Sequence, residues 1–272
     1  TGYSASALAE PWACVEMSYR LEDRIYPDTD SPWYITPSPD PEILREFPHA
    51  KIFAPDQFPM EGETAKDIIV QVSDGKQVEA WLKYLSPHGT MYLLGSASEV
   101  ANEYLAVDVG SIHYEYKRII GGGKTLKEIR EKNQRSDLQP GGIALFIGAG
   151  GPMGQMHVQR ALEKADGPQQ VVVTDLDAGR LEHLRIRSTE LLKKRDVELI
   201  TVCTKDFPNN EALTQHLQAL APSGYSDVIL LAPVPALVTQ AVDFSSPCGF
   251  VNLFAGLGIG TIANVSLKKI CE

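Results

Sequence analysis

Seven consecutive residues, Gly148-Ala149-Gly150-Gly151-Pro152-Met153-Gly154, and an acid 21 residues past the last of them, Asp175, have the types and spacing to hold a diphosphate and a ribose. Glycines let the backbone bend sharply and approach a ligand closely. The amides of the bend, with the positive end of the helix that follows, then face the anion. A carboxylate at the end of the next strand accepts hydrogen bonds from ribose hydroxyls and repels a 2′-phosphate, so the pattern favours NAD over NADP; Arg180, nearby in sequence, leaves NADP open. Read strictly, G-x-G-x-x-G does not fit. Counting from Gly148 puts Met153 third, and counting back from Gly154 puts Ala149 first. The turn therefore carries an extra residue or tolerates alanine. The plain alternative is a βαβ turn that binds nothing.

The flanking stretches are those such a site requires. Ile143 to Ile147 is an apolar run the length of a buried strand, and Met156, Val158, Ala161 and Leu162 share one helical face after the turn. Val171-Val172-Val173 forms a second buried run that ends in Thr174-Asp175. Strands over 198–203, 227–232 and 249–255 then alternate with helices over 180–194, 211–220 and 236–242. Repeated strand–helix units imply a parallel sheet with helices on both faces.

Upstream, the spacing predicts a helix from Ala5 to Tyr19, strands at 33–36, 52–54, 67–72, 90–94 and 114–120, and helices at 41–47 and 76–85. Lys124 to Gln134 reads as a charged helix or linker, and Gln139-Pro140-Gly141-Gly142 as a boundary. The expected division is a linker helix segment at 1–30, a Rossmann-like unit without a glycine loop at 31–135, and an NAD-binding Rossmann domain at 136–272. The fold class is α/β, two tandem Rossmann-like parallel-sheet units, the first degenerate. Gly121-Gly122-Gly123-Lys124-Thr125 imitates the end of a P-loop, but Arg118 stands where that motif needs glycine.

The halves resemble each other. Asp67-Ile68-Ile69-Val70 matches Asp227-Val228-Ile229-Leu230, and Ser86-Pro87-His88-Gly89 matches Ser246-Pro247-Cys248-Gly249, both at an offset of 160. Further upstream, YITPSPDPEIL resembles VVVTDLDAGRL with a drifting offset, and Pro37 is read in the place of Asp175. On that alignment the first copy lacks the anion cradle and the ribose acceptor, and it is expected to bind no dinucleotide.

With 272 residues the chain is long enough for two cores, and a net charge of −10 argues against nucleic acid or an anionic membrane as partner. No apolar run approaches a membrane span, and there is no signal-peptide pattern. Cys14, Cys203, Cys248 and Cys271 are scattered, which fits reduced thiols in a cytoplasmic protein. A small-molecule substrate and a second copy of the chain, in a homo-oligomer, complete the expected partners.

Residues 1–20 and 136–272 resemble the medium-chain, zinc-type alcohol and polyol dehydrogenases, in the L-sorbose-1-phosphate reductase-like branch. The resemblance rests on Glu10-Pro11-Trp12-Ala13-Cys14, on Gly151-Pro152-Met153-Gly154-Gln155-Met156-His157, and on the strand end Thr174-Asp175. It implies that Gly148 to Gly154 cradle the pyrophosphate, that Asp175 binds the adenosine ribose, and that Ala232 and Pro233 lie on the nicotinamide side. It makes Glu10 a candidate zinc ligand. The family's β-rich catalytic domain and its other zinc ligands are absent from the sequence, so zinc is expected only in a full-length enzyme. No catalytic residue is assigned, and His157 and His113 read as structural or surface histidines. The leading function is the NAD-binding portion of a zinc-type oxidoreductase that transfers hydride to or from a polyol or sugar phosphate, with this chain alone expected to be inactive. Alternatives are a non-catalytic dinucleotide-binding sensor or assembly module, and an S-adenosylmethionine-dependent methyltransferase.

Overall fold

The computed structural model describes residues 6–20, 26–27, 30–100, 103–133, 135 and 137–272. Ala5, the start of the predicted first helix, lies outside them, as does Gln134. The chain forms two compact units, and neither is one continuous stretch. A glycine-loop unit comprises Thr1–Leu21 and Arg135–Ala255, and a second unit comprises Glu22–Gln134 and Gly256–Glu272. Each holds a five-stranded sheet that is parallel throughout, so the α/β class with two Rossmann-like units stands.

The boundaries differ from those the sequence predicts. Residues 1–30 are not a separate linker segment. Helix α1 (Ala9–Met17) contributes buried Val15, and Tyr19 just beyond it joins Val158, Ala161 and Leu162 in the core of the glycine-loop unit. At the other end, Ile262–Ser266 runs antiparallel to β5 (Tyr104–Asp108), which places residues beyond Ala255 in the second unit. Backbone pairing of this kind has no local sequence signature.

In the second unit, β1 (Trp33–Ile35), β2 (Lys51–Phe53), β3 (Ala65–Gln71), β4 (Leu85–Leu94) and β6 (Arg118–Gly123) take the order β2-β1-β3-β4-β6. Helices α2 (Pro41–Glu46) and α3 (Gly75–Leu82) are capped by Asp40 and Asp74, whose carboxylates accept from the amides of Glu42 and Gln77. The strand predicted over 114–120 is displaced. Helix α4 (Val109–Tyr114), capped by Asp108, occupies its start, and the three glycines belong to β6. A Cβ at Gly123 would stand 2.6 Å from Glu128 Cβ, so that glycine lets helix α5 (Leu126–Lys132) close onto the strand.

In the glycine-loop unit, β7 (Ile143–Ile147), helix α6 (Pro152–Glu163), β8 (Gln170–Asp175), helix α7 (Ala178–Leu192) and β9 (Glu198–Cys203) build outward from the centre. Helix α8 (Asn210–Leu220) then carries the chain back to β10 (Tyr225–Leu230), and helix α9 (Pro235–Phe244) leads to β11 (Ser245–Leu253). The order is β11-β10-β7-β8-β9, so strand order reverses between β7 and β10. Leu145, Phe146, Val172, Val173, Val228 and Ile229 are fully buried, as central parallel strands covered on both faces require. One charge shares that interior. Asp227 on β10 is fully buried, pairs with Arg135 through Nη1, and accepts from the Gln139 amide at 2.8 Å.

The internal repeat extends to backbone detail. The pairing of β3 with β4 slips between Ala65 and Asp67, whose partners are Leu85 and Thr90. The pairing of β10 with β11 slips between Tyr225 and Asp227, whose partners are Ser245 and Phe250. All four positions keep the offset of 160. So do two buried acids, Asp67 and Asp227, and two non-glycine residues with left-handed φ, His88 at 58° and Cys248 at 57°.

The upstream alignment is corrected by register. Tyr34 faces Ile69 as Phe146 faces Ile229, so β1 is the counterpart of β7 and not of β8. Thr36 therefore stands in the place of Gly148. Because Ile35 faces Phe53 as Ile147 faces Thr174, Ala54 rather than Pro37 stands in the place of Asp175.

Candidate functional site

The glycine turn joins β7 to α6 at the carboxyl edge of the sheet, beside the point where strand order reverses. In an open α/β sheet this is where ligands bind. Each glycine has a separate geometric reason. Gly148 has φ 76°, and a Cβ there would lie 2.6 Å from the Cβ of Ala232, so the loop after β10 rests against the first bend. A Cβ at Gly150 would meet the Asp175 carboxyl at 2.7 Å. One at Gly154 would fall 2.4–2.6 Å from the backbone of Ala149, which fixes how closely α6 approaches the strand end. Gly151, the N-cap of α6, has nothing within 4 Å.

Of the two ways of counting the motif, this supports the one starting at alanine. Ala149 takes the first position, Gly151 the open second and Gly154 the close-packed third. Pro152 sits at the first turn of α6, where its missing N–H costs nothing, and the first-turn amides around Met153 have no partner within the helix. Met153 is half-buried against the core, while Pro152 and Pro233 are exposed.

Asp175 does more than end β8. Its Oδ2 accepts from the Gly150 amide at 2.8 Å, and its Oδ1 accepts from the Asp177 amide at 3.0 Å. The carboxylate ties the second strand to the glycine turn and retains lone pairs for a further donor. Arg180 is exposed, and its guanidinium lies 3.7 Å from Asp177. The structure thus brings Gly148, Gly150, Gly151, Pro152, Met153, Gly154, Asp175 and Ala232 to one edge, with Pro233 next in the chain.

Glu10 lies elsewhere on the same unit. It is exposed in the first turn of α1, and its carboxylate accepts from the Cys14 thiol at 3.2 Å. That partner and its burden of negative charge push the thiol pKa up. Among the described residues no group of three or more His, Cys, Asp or Glu side chains could hold a metal ion. The donors among the described residues do not fit zinc.

A polar cluster under the helices was invisible in the sequence. His157 is fully buried on α6, and its Nδ1 lies 2.7 Å from the Tyr19 hydroxyl. Burial first, then the neighbouring Arg160 charge, lowers its pKa to about 3, so it is neutral and no acid or base for chemistry near pH 7. Arg160 lies over the Tyr19 ring and pairs with Glu16 at 3.1 Å and Asp137 at 2.7 Å. These contacts fasten α1 to the helix that begins the site. In the second unit, the P-loop imitation resolves into a capping box: Thr125 Oγ1 accepts from the Glu128 amide, and Glu128 accepts from the Lys124 amide.

No protein-family model matches the chain. It is 29% identical over 171 residues to the uncharacterized protein YggP of Escherichia coli, covering 62% of this chain and 36% of that protein. It is 31% identical over 121 residues to mannitol-1-phosphate 5-dehydrogenase of Aliivibrio fischeri, covering 44% and 28%. It is 30% identical over 125 residues to L-sorbose 1-phosphate reductase of Klebsiella pneumoniae, covering 46% and 28%. The chain spans about a third of the length of these curated relatives. Two of the three are a dehydrogenase and a reductase. No helix among the described residues is long and apolar enough to cross a membrane.

Proposed function

We propose that this chain carries the nicotinamide-dinucleotide site of an oxidoreductase of the medium-chain dehydrogenase type, acting on a polyol or sugar phosphate. The observation that carries the reading is the glycine turn at the switch point, open at Gly151 and braced by Asp175. The names of the partial relatives, a mannitol-1-phosphate dehydrogenase and an L-sorbose 1-phosphate reductase, suggest the substrate class.

In this reading the amides of Gly151 and of the first turn of α6 hold the pyrophosphate, and the helix dipole adds to that field. Asp175 accepts from the adenosine ribose while it keeps Gly150 in place. Ala232 and Pro233 border the side where the nicotinamide lies. The bound nicotinamide ring accepts or gives hydride; the chain orients it against the strand ends. No step is assigned to zinc, because no group of three or more donors stands together among the described residues.

Asp175 decides the cofactor. Its charge disfavours a 2′-phosphate, so NADH binds more tightly than NADPH. Fluorescence titration of the folded chain with each nucleotide tests this. We expect Asp175→Asn to weaken NADH binding about tenfold, or ~1.4 kcal/mol, and to narrow the gap to NADPH. A folded chain that takes up no NADH at millimolar concentration overturns the assignment.

A further inference from the structure

The second unit has a crevice of its own at the corresponding edge. In the order β2-β1-β3-β4-β6 the strand order reverses between β1 and β3, and a cavity of about 210 Å³ opens at the carboxyl ends of these strands. Its floor is Val72, Leu94 and Val100 with the ring of buried Tyr34. The Tyr34 hydroxyl is already engaged by Thr36 and by the Asp40 backbone. Around the rim stand Ser38, Asp40, Gln71, Glu99 and Lys124, contributed by the ends of β1, β3, β4 and β6.

Size and chemistry narrow what such a site can hold. At about 210 Å³ the cavity is below the ~300–1,000 Å³ of drug-sized ligand sites, so it suits a small ligand rather than a dinucleotide. Pro37 and Pro39 remove two amides from the loop that replaces the glycine turn, and the Ser38 amide between them is spent on Thr36 Oγ1 at 3.0 Å, which leaves this loop poor in donors for a phosphate. The single ammonium, Lys124, is paired with Glu99.

The rim's remaining capacity is mixed. The Gln71 side-chain amide spends one of its two ends on Thr36 Oγ1 and keeps the other for the crevice. Asp40 Oδ1 accepts from the Glu42 amide at 2.8 Å, which leaves Oδ2 to accept. Ser38 Oγ can do either. An acceptor-only anion meets Asp40 and Glu99, and a donor-only cation meets Lys124 and the Gln71 amide. A hydroxyl both donates and accepts, and adjacent hydroxyls on a short carbon chain match adjacent donors and acceptors above an apolar floor.

From this juxtaposition we propose that the crevice between β1 and β3 binds a small, uncharged polyhydroxylated ligand. The proposal stands on this unit's own groups and does not depend on the dinucleotide reading of the other unit.

Saturation-transfer NMR on the full chain, with D-mannitol and with inorganic phosphate as probes, tests it. We expect transfer to mannitol, at least threefold weaker in both Gln71→Leu and Ser38→Ala, and no competition from phosphate. Ser38 is exposed, so the second variant keeps the fold if the first does not. Asp175→Asn, in the other unit, leaves mannitol transfer unchanged, which separates the two sites. Absence of transfer to mannitol, transfer unaltered by Ser38→Ala, or displacement by phosphate overturns the proposal.

Discussion

Gly154→Ala sets two known effects against each other, and the structure says which wins. Alanine in place of glycine inside a helix is worth up to ~1 kcal/mol in propensity. The new methyl, however, falls 2.4 Å from Ala149 Cα and 2.5 Å from its carbonyl oxygen. These are backbone atoms of a buried residue and cannot swing aside. Forcing a methyl against rigid backbone falls in the upper part of the usual overpacking cost, about 2–3 kcal/mol, so we expect a net loss of about 1–2 kcal/mol and a melting temperature lower by roughly 2–8 °C. Relief requires α6 to move away from the strand, and its first-turn amides move with it. NADH affinity should therefore fall at least tenfold, ~1.4 kcal/mol. Gly151→Ala is the matched control. Its φ is −75° and its methyl enters empty space. Stability should drop by less than about 1 kcal/mol, from a poorer N-cap, yet NADH should bind just as weakly because the methyl stands where the phosphates approach. Thermal denaturation and fluorescence titration read the two quantities separately. A Gly154→Ala protein that melts at or above the parent temperature refutes the packing argument.

Two further outcomes follow from buried charge. His157 takes its proton near pH 6.5 when the chain is unfolded and only near pH 3 when folded, so between those values the unfolded state holds more protons and stability declines as pH falls. This one group contributes a loss of about 2 kcal/mol by pH 5; the difference in denaturation free energy between the parent and His157→Phe should shrink by that amount from pH 8 to pH 5. Arg135→Met strands the fully buried Asp227 with only the Gln139 amide for company, and we expect a loss of about 3–5 kcal/mol. Asp227→Asn placed on top of it should recover part of that loss, and equilibrium denaturation of the two variants checks both statements.

What was legible in the sequence is what local pattern encodes. The apolar runs at 143–147 and 171–173 and the glycine-rich turn between them gave strand, bend and helix in their observed order. The position of Asp175 at a strand end was legible for the same reason, but its hold on the Gly150 amide was not, because that contact depends on how two strand ends meet. The strand misplaced at 114–120 shows the opposite failure. Tyr114-Glu115-Tyr116-Lys117 alternates like a strand, whereas Asp108 caps a short helix that ends at Tyr114 and delays β6 to Arg118. Long-range terms account for the rest: the antiparallel partner of β5 lies more than 150 residues away in the chain, at 262–266. The cluster of Tyr19, His157 and Arg160 joins residues equally remote in sequence.

The repeat separates frame from function. Between the copies, the β–α–β segment retains its register slip, its buried acid and its left-handed residue at 88 and 248. A left-handed non-glycine residue costs roughly 1–2 kcal/mol, so its presence at both positions shows that the slipped parallel pair demands that backbone whatever side chain stands there. The loops at the carboxyl edge obey no such demand. Where one copy has Gly148 and Asp175, the other has Thr36 and Ala54, and prolines at 37 and 39 take the place of free amides. Packing between strands fixed the half of each unit that touches no ligand, while the loops, held only at their ends, were free to diverge. The frame is thereby open to two chemistries: first-turn backbone amides at the edge of one unit, and side-chain donors and acceptors at the corresponding edge of the other.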